Sequence, residues 1–236
     1  MLIKPIKTRI FKENESLTVF LDKYISKPRE GSIIVVTSKI VALSEGRTHA
    51  KEDAGTKEKL IRQESQYVMR TRYTWLTIKD NMLIKSTGID ESNVNGKYIL
   101  LPKDSFKSAD LIRKHFIKKY RLKKLGVLIT DSLMYPLRNG AVGIALGYSG
   151  FSGIRDYRGQ KDLYGRELKS ARTDAADTLA AASVLLMGEG NQSQPLAIIT
   201  GAPVKFQNRI NKDELRIDIR DDVYQPIMEK IRRIKF

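Results

Sequence analysis

The chain has no cysteine and only two histidines, His49 and His115. Disulfides, thiolate-held zinc and iron–sulfur centres are therefore excluded, and a histidine-rich metal site has too few ligands. Any metal must be held mainly by oxygen, which points to magnesium or manganese. Long apolar runs are also missing, and none approaches the roughly 20 residues that a membrane span requires. The opening stretch, MLIKPIKTRIFKENESL, alternates basic and apolar residues. It lacks the apolar run and small-residue cleavage site of a secretory signal, so a soluble, cytoplasmic protein is expected. Neither a Walker-type phosphate loop nor a Rossmann glycine fingerprint occurs. A bound nucleotide is therefore not held in either standard cradle.

What the chain has in excess is positive charge. Forty-three Lys and Arg stand against 27 Asp and Glu, a net +16. A field of that sign draws nucleic acid, nucleotides and polyanionic small molecules, and it is equally consistent with a solvated basic surface. Basic clusters lie at Lys114 to Lys124 and Lys230 to Lys235, without the interleaved aromatics of an RNA-binding signature. At 236 residues, 41 % of them hydrophobic, the chain can bury a sizeable core as one large domain or two small interlocked ones.

Short apolar runs alternate with amphipathic stretches, which predicts an α/β or α+β fold. Strands are expected at Ser32 to Thr37, Met82 to Lys85, Tyr98 to Leu101, Leu125 to Thr130 and Leu196 to Thr200. Helical periodicity marks Leu17 to Ile25, Glu52 to Met69, Ser108 to Lys119, Thr173 to Met187 and Asp222 to Ile234. The Thr173 to Met187 segment is Ala-rich, with Leu179, Ser183 and Leu186 on one stripe suited to close packing. Seven glycines (Gly140, Gly143, Gly147, Gly150, Gly153, Gly159 and Gly165) crowd the middle of the chain. They suit tight bends and close backbone approach, and a glycine-rich subdomain at about 138–194 within a single 1–236 unit is considered. No internal repeat or low-complexity linker is present.

Three carboxylates occupy similar settings. Asp90 follows a short strand in TGIDESN, Asp131 ends GVLIT and precedes Ser132, and Glu189 lies in MGEG where the Ala-rich helix stops. Carboxylates at strand and helix ends beside glycines can converge on a hard cation, with a neighbouring serine hydroxyl added. Taken singly, each reads equally as a turn aspartate or a helix-terminal glutamate. The segment TSKIVALSEGR supplies Ser38, Lys39 and Arg47, which could grip phosphate or form an ordinary strand exit. RDYRGQKDLYGREL is either a binding loop or a hairpin whose charges face water.

The ordered series VVTSKIVALSEGR, GIDESNV, LLPKD, GVLITDS, RNGAVGIALGYSG, DYRGQKDLYGREL and AADTLAAASVLLMGEG resembles the coenzyme F420-0:γ-glutamyl ligase family over residues 32 to about 201. The resemblance implies that family's own α/β architecture with a mixed central sheet, in an intertwined homodimer. It implies a GTP-dependent ligase that joins L-glutamate to coenzyme F420-0 through an acyl phosphate, releasing GDP and phosphate. It places metal ligands on Asp90, Asp131, Ser132 and Glu189 for two magnesium or manganese ions, with potassium as an optional third. Nucleotide contacts fall on Ser38, Lys39 and Asn93, and on Met187, Gly188, Gly190, Asn191, Gln192, Ser193 and Gln194. No catalytic residue beyond these is assigned.

Three departures from the family pattern surround that set. Leu43 stands where the family usually has lysine, Met134 and Tyr135 replace a Gly-Arg pair, and TRIFKENESL replaces a Gly-Leu-Pro loop. A lost cation beside phosphate would weaken nucleotide binding by about a few kcal/mol at most, and Lys39 or Arg47 is available as a substitute. The altered surroundings keep a second acceptor class open, folate or another pterin-like carboxylate. A non-catalytic nucleotide-binding homologue and a nucleic-acid-associated protein are the readings from other classes.

Overall fold

Residues 1–92 and 96–228 are described in the computed structural model. From its start the chain runs through β1 (Leu2–Ile6), α1 (Leu17–Tyr24), β2 (Ser32–Thr37), α2 (Ser38–Ser44) and β3 (Thr48–Ala50). It continues with α3 (Thr56–Glu64), then β4 (Tyr67–Arg70), β5 (Trp75–Lys79), β6 (Met82–Lys85) and β7 (Lys97–Ile99). The remainder is α4 (Ser105–Tyr120), β8 (Leu125–Met134), β9 (Ala141–Ser149), β10 (Ile154–Asp156), β11 (Arg172–Asp174), α5 (Ala175–Met187) and β12 (Leu196–Thr200).

The main sheet has the order β1-β12-β2-β8-β9 and is mixed, as expected. Only β2 and β8 are parallel; β1 with β12, β12 with β2, and β8 with β9 are antiparallel. β2 is buried on both faces, which explains its unbroken SIIVV run. Ile34, Val36, Val127 and Ile129 face α1, α2 and α4, where Phe20, Ile112 and Phe116 complete one core. Ile33, Val35 and Leu128 face α5, where Ala176, Leu179, Ala180 and Met187 complete the other. The β4–β6 meander, the β3–β7 pair and the β10–β11 pair are attached outside this layer.

Most expected elements are present, with instructive differences. The helical pattern over Glu52 to Met69 ends at Glu64, because Ser65 turns extended and Tyr67–Arg70 pairs instead with Trp75–Ile78. Cross-strand pairing overrides a helical period there. α4 starts earlier than its periodicity indicates, because Asp104 caps it by accepting from Lys107 N–H at 2.9 Å. On α5 the buried stripe is Ala176, Leu179, Ala180, Ser183 and Met187, whereas Leu186 points outward at 52 % exposure. Of the expected final helix, residues 225–228 are helical and residues 229–234 lie outside the described residues. Among the described residues no helix is long and apolar enough to cross a membrane.

The glycine-rich stretch forms a strand, β9, that two helices approach closely. At Gly147 an added Cβ would stand 2.5 Å from the Ser105 carbonyl carbon and 2.6 Å from Phe106 N. That contact is backbone on backbone, so no side-chain rotation relieves it. Gly147→Ala is expected to push β9 away from the start of α4 and to cost about 3 kcal/mol or more, on the scale of overpacked cores. Denaturant unfolding of the purified variant measures it, and an unchanged midpoint contradicts this packing.

Candidate active site

Ser38 and Asp131 meet because β2 and β8 run parallel and in register, with Thr37 opposite Thr130. Each strand delivers its next residue to the same edge of the sheet, the carboxyl end where open α/β sheets bind ligands. Ser38 Oγ donates to Asp131 Oδ2 at 2.9 Å, and Ser132 N–H donates to Oδ1 at 2.8 Å. The β8–β9 ladder slips between Ile129 and Thr130, an irregularity of the kind that re-aims side chains beside functional sites. β12 runs antiparallel to β2, so Leu196 lies opposite Val36 at that same end. The segment leading into β12 thus arrives beside Asp131, and Ser132 Oγ donates to Glu189 Oε2 at 3.4 Å.

Asp90 comes from the turn after β6. Ser86, Thr87 and Gly88 all have left-handed backbones, with φ of 48°, 52° and 74°. Such residues are strained and persist where their surroundings fix them. Thr87 N–H donates to Thr77 Oγ1 at 2.8 Å, and the Ser86 and Thr74 hydroxyls share a hydrogen bond of 3.0 Å. At Gly88 a Cβ would come within 2.7 Å of the Leu101 side chain, so glycine is needed for space as well as for φ. Beyond the turn, Asp90 and Ile99 exchange backbone hydrogen bonds of 2.9 Å. From α2, Lys39 Nζ reaches Asp90 Oδ2 at 2.6 Å and the Ser92 carbonyl and hydroxyl at 3.1 Å each.

The electrostatics of the two aspartates differ. Burial pushes the Asp131 carboxyl up to about 6, and the charges of Asp90 and Glu189 add to this, against the hydrogen bonds from Ser132 and Ser38. Burial acts the same way on Asp90, but the Lys39 ammonium and the Ser92 N–H outweigh it and hold that carboxyl below its ordinary value. Of the three carboxylates, only Asp90 is paired with a lysine among the described residues. Among the described residues they do not form a closed cage of three metal-ligating side chains, and Lys39 occupies one carboxylate oxygen of Asp90. The donor set is all oxygen, carries excess negative charge, and raises the pKa of its buried member. Those properties fit a hard divalent cation.

The other expected contacts are placed as follows. Asn93 lies outside the described residues. The Met187 side chain is buried in the core under α5, leaving its backbone available. Gly188, Glu189, Gly190, Asn191, Gln192 and Ser193 are exposed and Gln194 is half-buried. This segment folds on itself, with Gly190 N–H donating to Gln192 Oε1 at 2.8 Å. The TRIFKENESL segment borders it, since Thr8 N–H donates to the Ser193 carbonyl at 2.8 Å, while Phe11 is buried. Leu43 packs against the core beneath α2. Arg47 is committed to Glu64 at 2.7 Å and to the Leu101 carbonyl at 3.0 Å, so of the two cations available to substitute, only Lys39 stands in the cluster.

Two carboxylates were not anticipated from the sequence. Asp174 caps α5 by accepting from Asp177 N–H, and Asp177 accepts from the Ala145 N–H of β9, both at 2.8 Å. Burial pushes Asp174 up to about 6 and raises Asp177 as well. Tyr135 stands near them: burial, then the charges of Asp177 and Asp174, push its phenol up. The available signal was the DAAD sequence at the helix start, a capping pattern with a second acid at its third helical position. The RDYRGQKDLYGREL stretch is an exposed excursion between β10 and β11, in which Asp156 pairs with Arg158 and Asp162 with Arg166.

The chain matches the F420-0:Gamma-glutamyl ligase family over residues 5–201. A coenzyme F420:L-glutamate ligase of Methanococcus maripaludis is 35 % identical over 208 residues, covering 86 % of this chain and 83 % of that protein. The protein of the same name from Methanocaldococcus jannaschii is 35 % identical, with 86 % and 82 % covered. That from Archaeoglobus fulgidus is 31 % identical, with 94 % of each covered. The chain belongs to the F420-0:γ-glutamyl ligase family, as a divergent member.

The Asp131 environment generates a pH prediction for the metal-free protein. Its folded pKa of about 6 lies above the unfolded value of about 4. Its stabilising contribution is therefore complete below about pH 4 and is lost as pH rises through about 6. Asp131→Asn cannot ionise and escapes that loss. In chelator, the melting temperature of the variant relative to the parent is expected to be higher at about pH 7 than at about pH 4.5. An equal difference at both values contradicts a strained, ionised Asp131.

Proposed function

We propose that this chain is a GTP- and divalent-metal-dependent ligase that joins L-glutamate to coenzyme F420-0 through an acyl phosphate. The observation that carries this reading is the gathering of Ser38, Lys39, Asp90, Asp131, Ser132 and Glu189 at the carboxyl ends of β2 and β8. Asp90, Asp131, Glu189 and the Ser132 hydroxyl would hold two magnesium or manganese ions, with potassium as an optional addition. Such ions supply charge neutralisation for phosphoryl transfer. Lys39, now bound to Asp90, is placed to turn to a phosphate oxygen once a cation takes over that carboxylate. The 188–194 segment, the Met187 backbone and Ser38 would form the nucleotide wall, and Asn93, outside the described residues, is a further expected contact. In the first half-reaction the acceptor carboxylate takes the terminal phosphoryl group and GDP leaves; in the second, the glutamate amine displaces phosphate. A homodimer and a cytoplasmic location are part of this reading.

One observation favours a second reading of the acceptor. Met134 and Tyr135, 55 % and 43 % exposed, sit at the free end of β8 beyond Asp131 and Ser132. Side chains of that size reshape the rim on which an acceptor rests. Folate or another pterin-like carboxylate is the alternative. A homologue that binds nucleotide without turnover is the reading from a different class.

Manganese with GDP is expected to raise the melting temperature, corresponding to about 2.7 kcal/mol when free ligand is a hundredfold above its Kd. GDP with chelator is expected to raise it far less. Phosphate release from GTP should depend on both glutamate and acceptor, and Asp131→Asn should abolish it while still melting cooperatively. Nucleotide binding without release on any deazaflavin or pterin acceptor sinks the ligase reading, and full activity in Asp131→Asn sinks the metal assignment.

A further inference from the structure

Next to the acid cluster lies a second feature with no part in metal or nucleotide binding. A cavity of about 380 Å³ opens along the outer edge of the sheet, lined by Leu133, Ile144, Lys103, Arg216, Asp174 and Asp177 among others. Its position relative to Asp131 is fixed by the β8–β9 ladder. Ile144 is the cross-strand partner of Asp131, and Leu133 lies two residues further on the same face. Ala145, the next residue on β9, gives its N–H to Asp177. Asp177 is thus hydrogen-bonded to the residue that follows the cross-strand partner of Asp131.

The cavity is lined by charges of both signs, of which Asp104 and Lys212 are paired with each other at 2.5 Å. Asp174 and Asp177 make hydrogen bonds to backbone N–H groups and to each other's helical turn, and among the described residues no lysine or arginine forms an ion pair with either. The same cavity is lined by Lys103, exposed and with no ion-pair partner among the described residues, and by Arg216, held on one side by Asp213 at 2.8 Å. A hydrogen-bonded carboxyl pair with no cation partner calls for a cationic ligand group, and the unpaired Lys103, with Arg216, calls for an anionic one. A single small molecule carrying both is an amino acid zwitterion.

We propose that this cavity binds the incoming amino acid of the ligation, its α-ammonium on the Asp174–Asp177 pair and its carboxylates toward Lys103 and Arg216. The assignment rests on the glutamate-ligase reading for the identity of the amino acid. It also supplies the proton path of the second half-reaction. The ammonium gives one proton to a carboxylate of the pair, and the neutral amine attacks the acyl carbon. The new C–N bond forms as the bond from that carbon to the phosphate oxygen breaks. The phosphate leaves with the electron pair and takes the second amine proton. A carboxyl already raised toward neutrality by burial accepts such a proton readily.

The test compares L-glutamate with glutarate, which has the same two carboxylates and no amine. Each is titrated calorimetrically into parent, Asp174→Asn and Asp177→Asn proteins in the presence of GDP and manganese. Asparagine preserves both backbone hydrogen bonds and remains a good helix cap, and thermal melts verify the fold. Glutamate affinity is expected to fall about tenfold or more in either variant, and glutarate affinity to stay within about twofold. Lys103→Ala is expected to weaken both ligands. Unchanged glutamate affinity in the aspartate variants, equal losses for both ligands, or no saturable glutamate binding by the parent overturns the assignment. Failure of the ligase reading is seen separately: a parent that binds glutamate with this amine selectivity but releases no phosphate keeps the cavity assignment and loses the ligase.

Discussion

The in-register parallel pairing of β2 with β8 is the constraint on which the site depends. It places Ser38 and Asp131 at one edge, and the antiparallel return of β12 brings Glu189 to the same place. The strands themselves are held by apolar burial on both faces, so the chemistry is mounted on the most rigid part of the molecule. That arrangement has an electrostatic consequence. A carboxylate fixed at the sheet edge with only hydroxyl and N–H partners, and with two more carboxylates nearby, is held away from its favoured protonation state. The relief it lacks in the metal-free chain is what a divalent cation provides.

Much of this was legible in the sequence because its signals were local. SIIVVT, GVLIT and LAIIT are short apolar runs rich in β-branched residues, and all three became central strands. The mixed sheet agrees with the family resemblance, which supplied what spacing alone could not. Other features are products of tertiary geometry. The helical period through Met69 yielded to pairing with Trp75–Lys79. The glycine density near residues 140–153 gave no direct sign of a strand, because its purpose is to admit α4 and α5 against β9. Asp174 and Asp177 stand in a capping pattern at the start of α5, but their place in a cavity beside β8 follows only from the β8–β9 ladder.

The departures from the family pattern separate into two kinds. Leu43 packs partly buried against the core, and Arg47 serves Glu64, so in the proposed function the charge near a nucleotide would fall to Lys39. That lysine has Asp90 as its carboxylate partner, which would link phosphate recognition to cation binding. Met134 and Tyr135 are different, because they remain exposed at the rim and Tyr135 senses the Asp174–Asp177 pair. Under the proposed function, the phosphate-handling half of the site would be built on buried strand ends, and the half that meets acceptor and amino acid on exposed edges. Changes at those edges would then alter what is ligated without disturbing the sheet.

The central claim is that this cleft activates a carboxylate by phosphoryl transfer from GTP. Its most direct test uses an acceptor whose terminal carboxylate carries a heavy oxygen isotope, followed by mass analysis of the phosphate released during glutamate-dependent turnover. An acyl phosphate requires one labelled oxygen to pass from acceptor to phosphate in each turnover. Phosphate released without label, while amide product accumulates, would contradict the account.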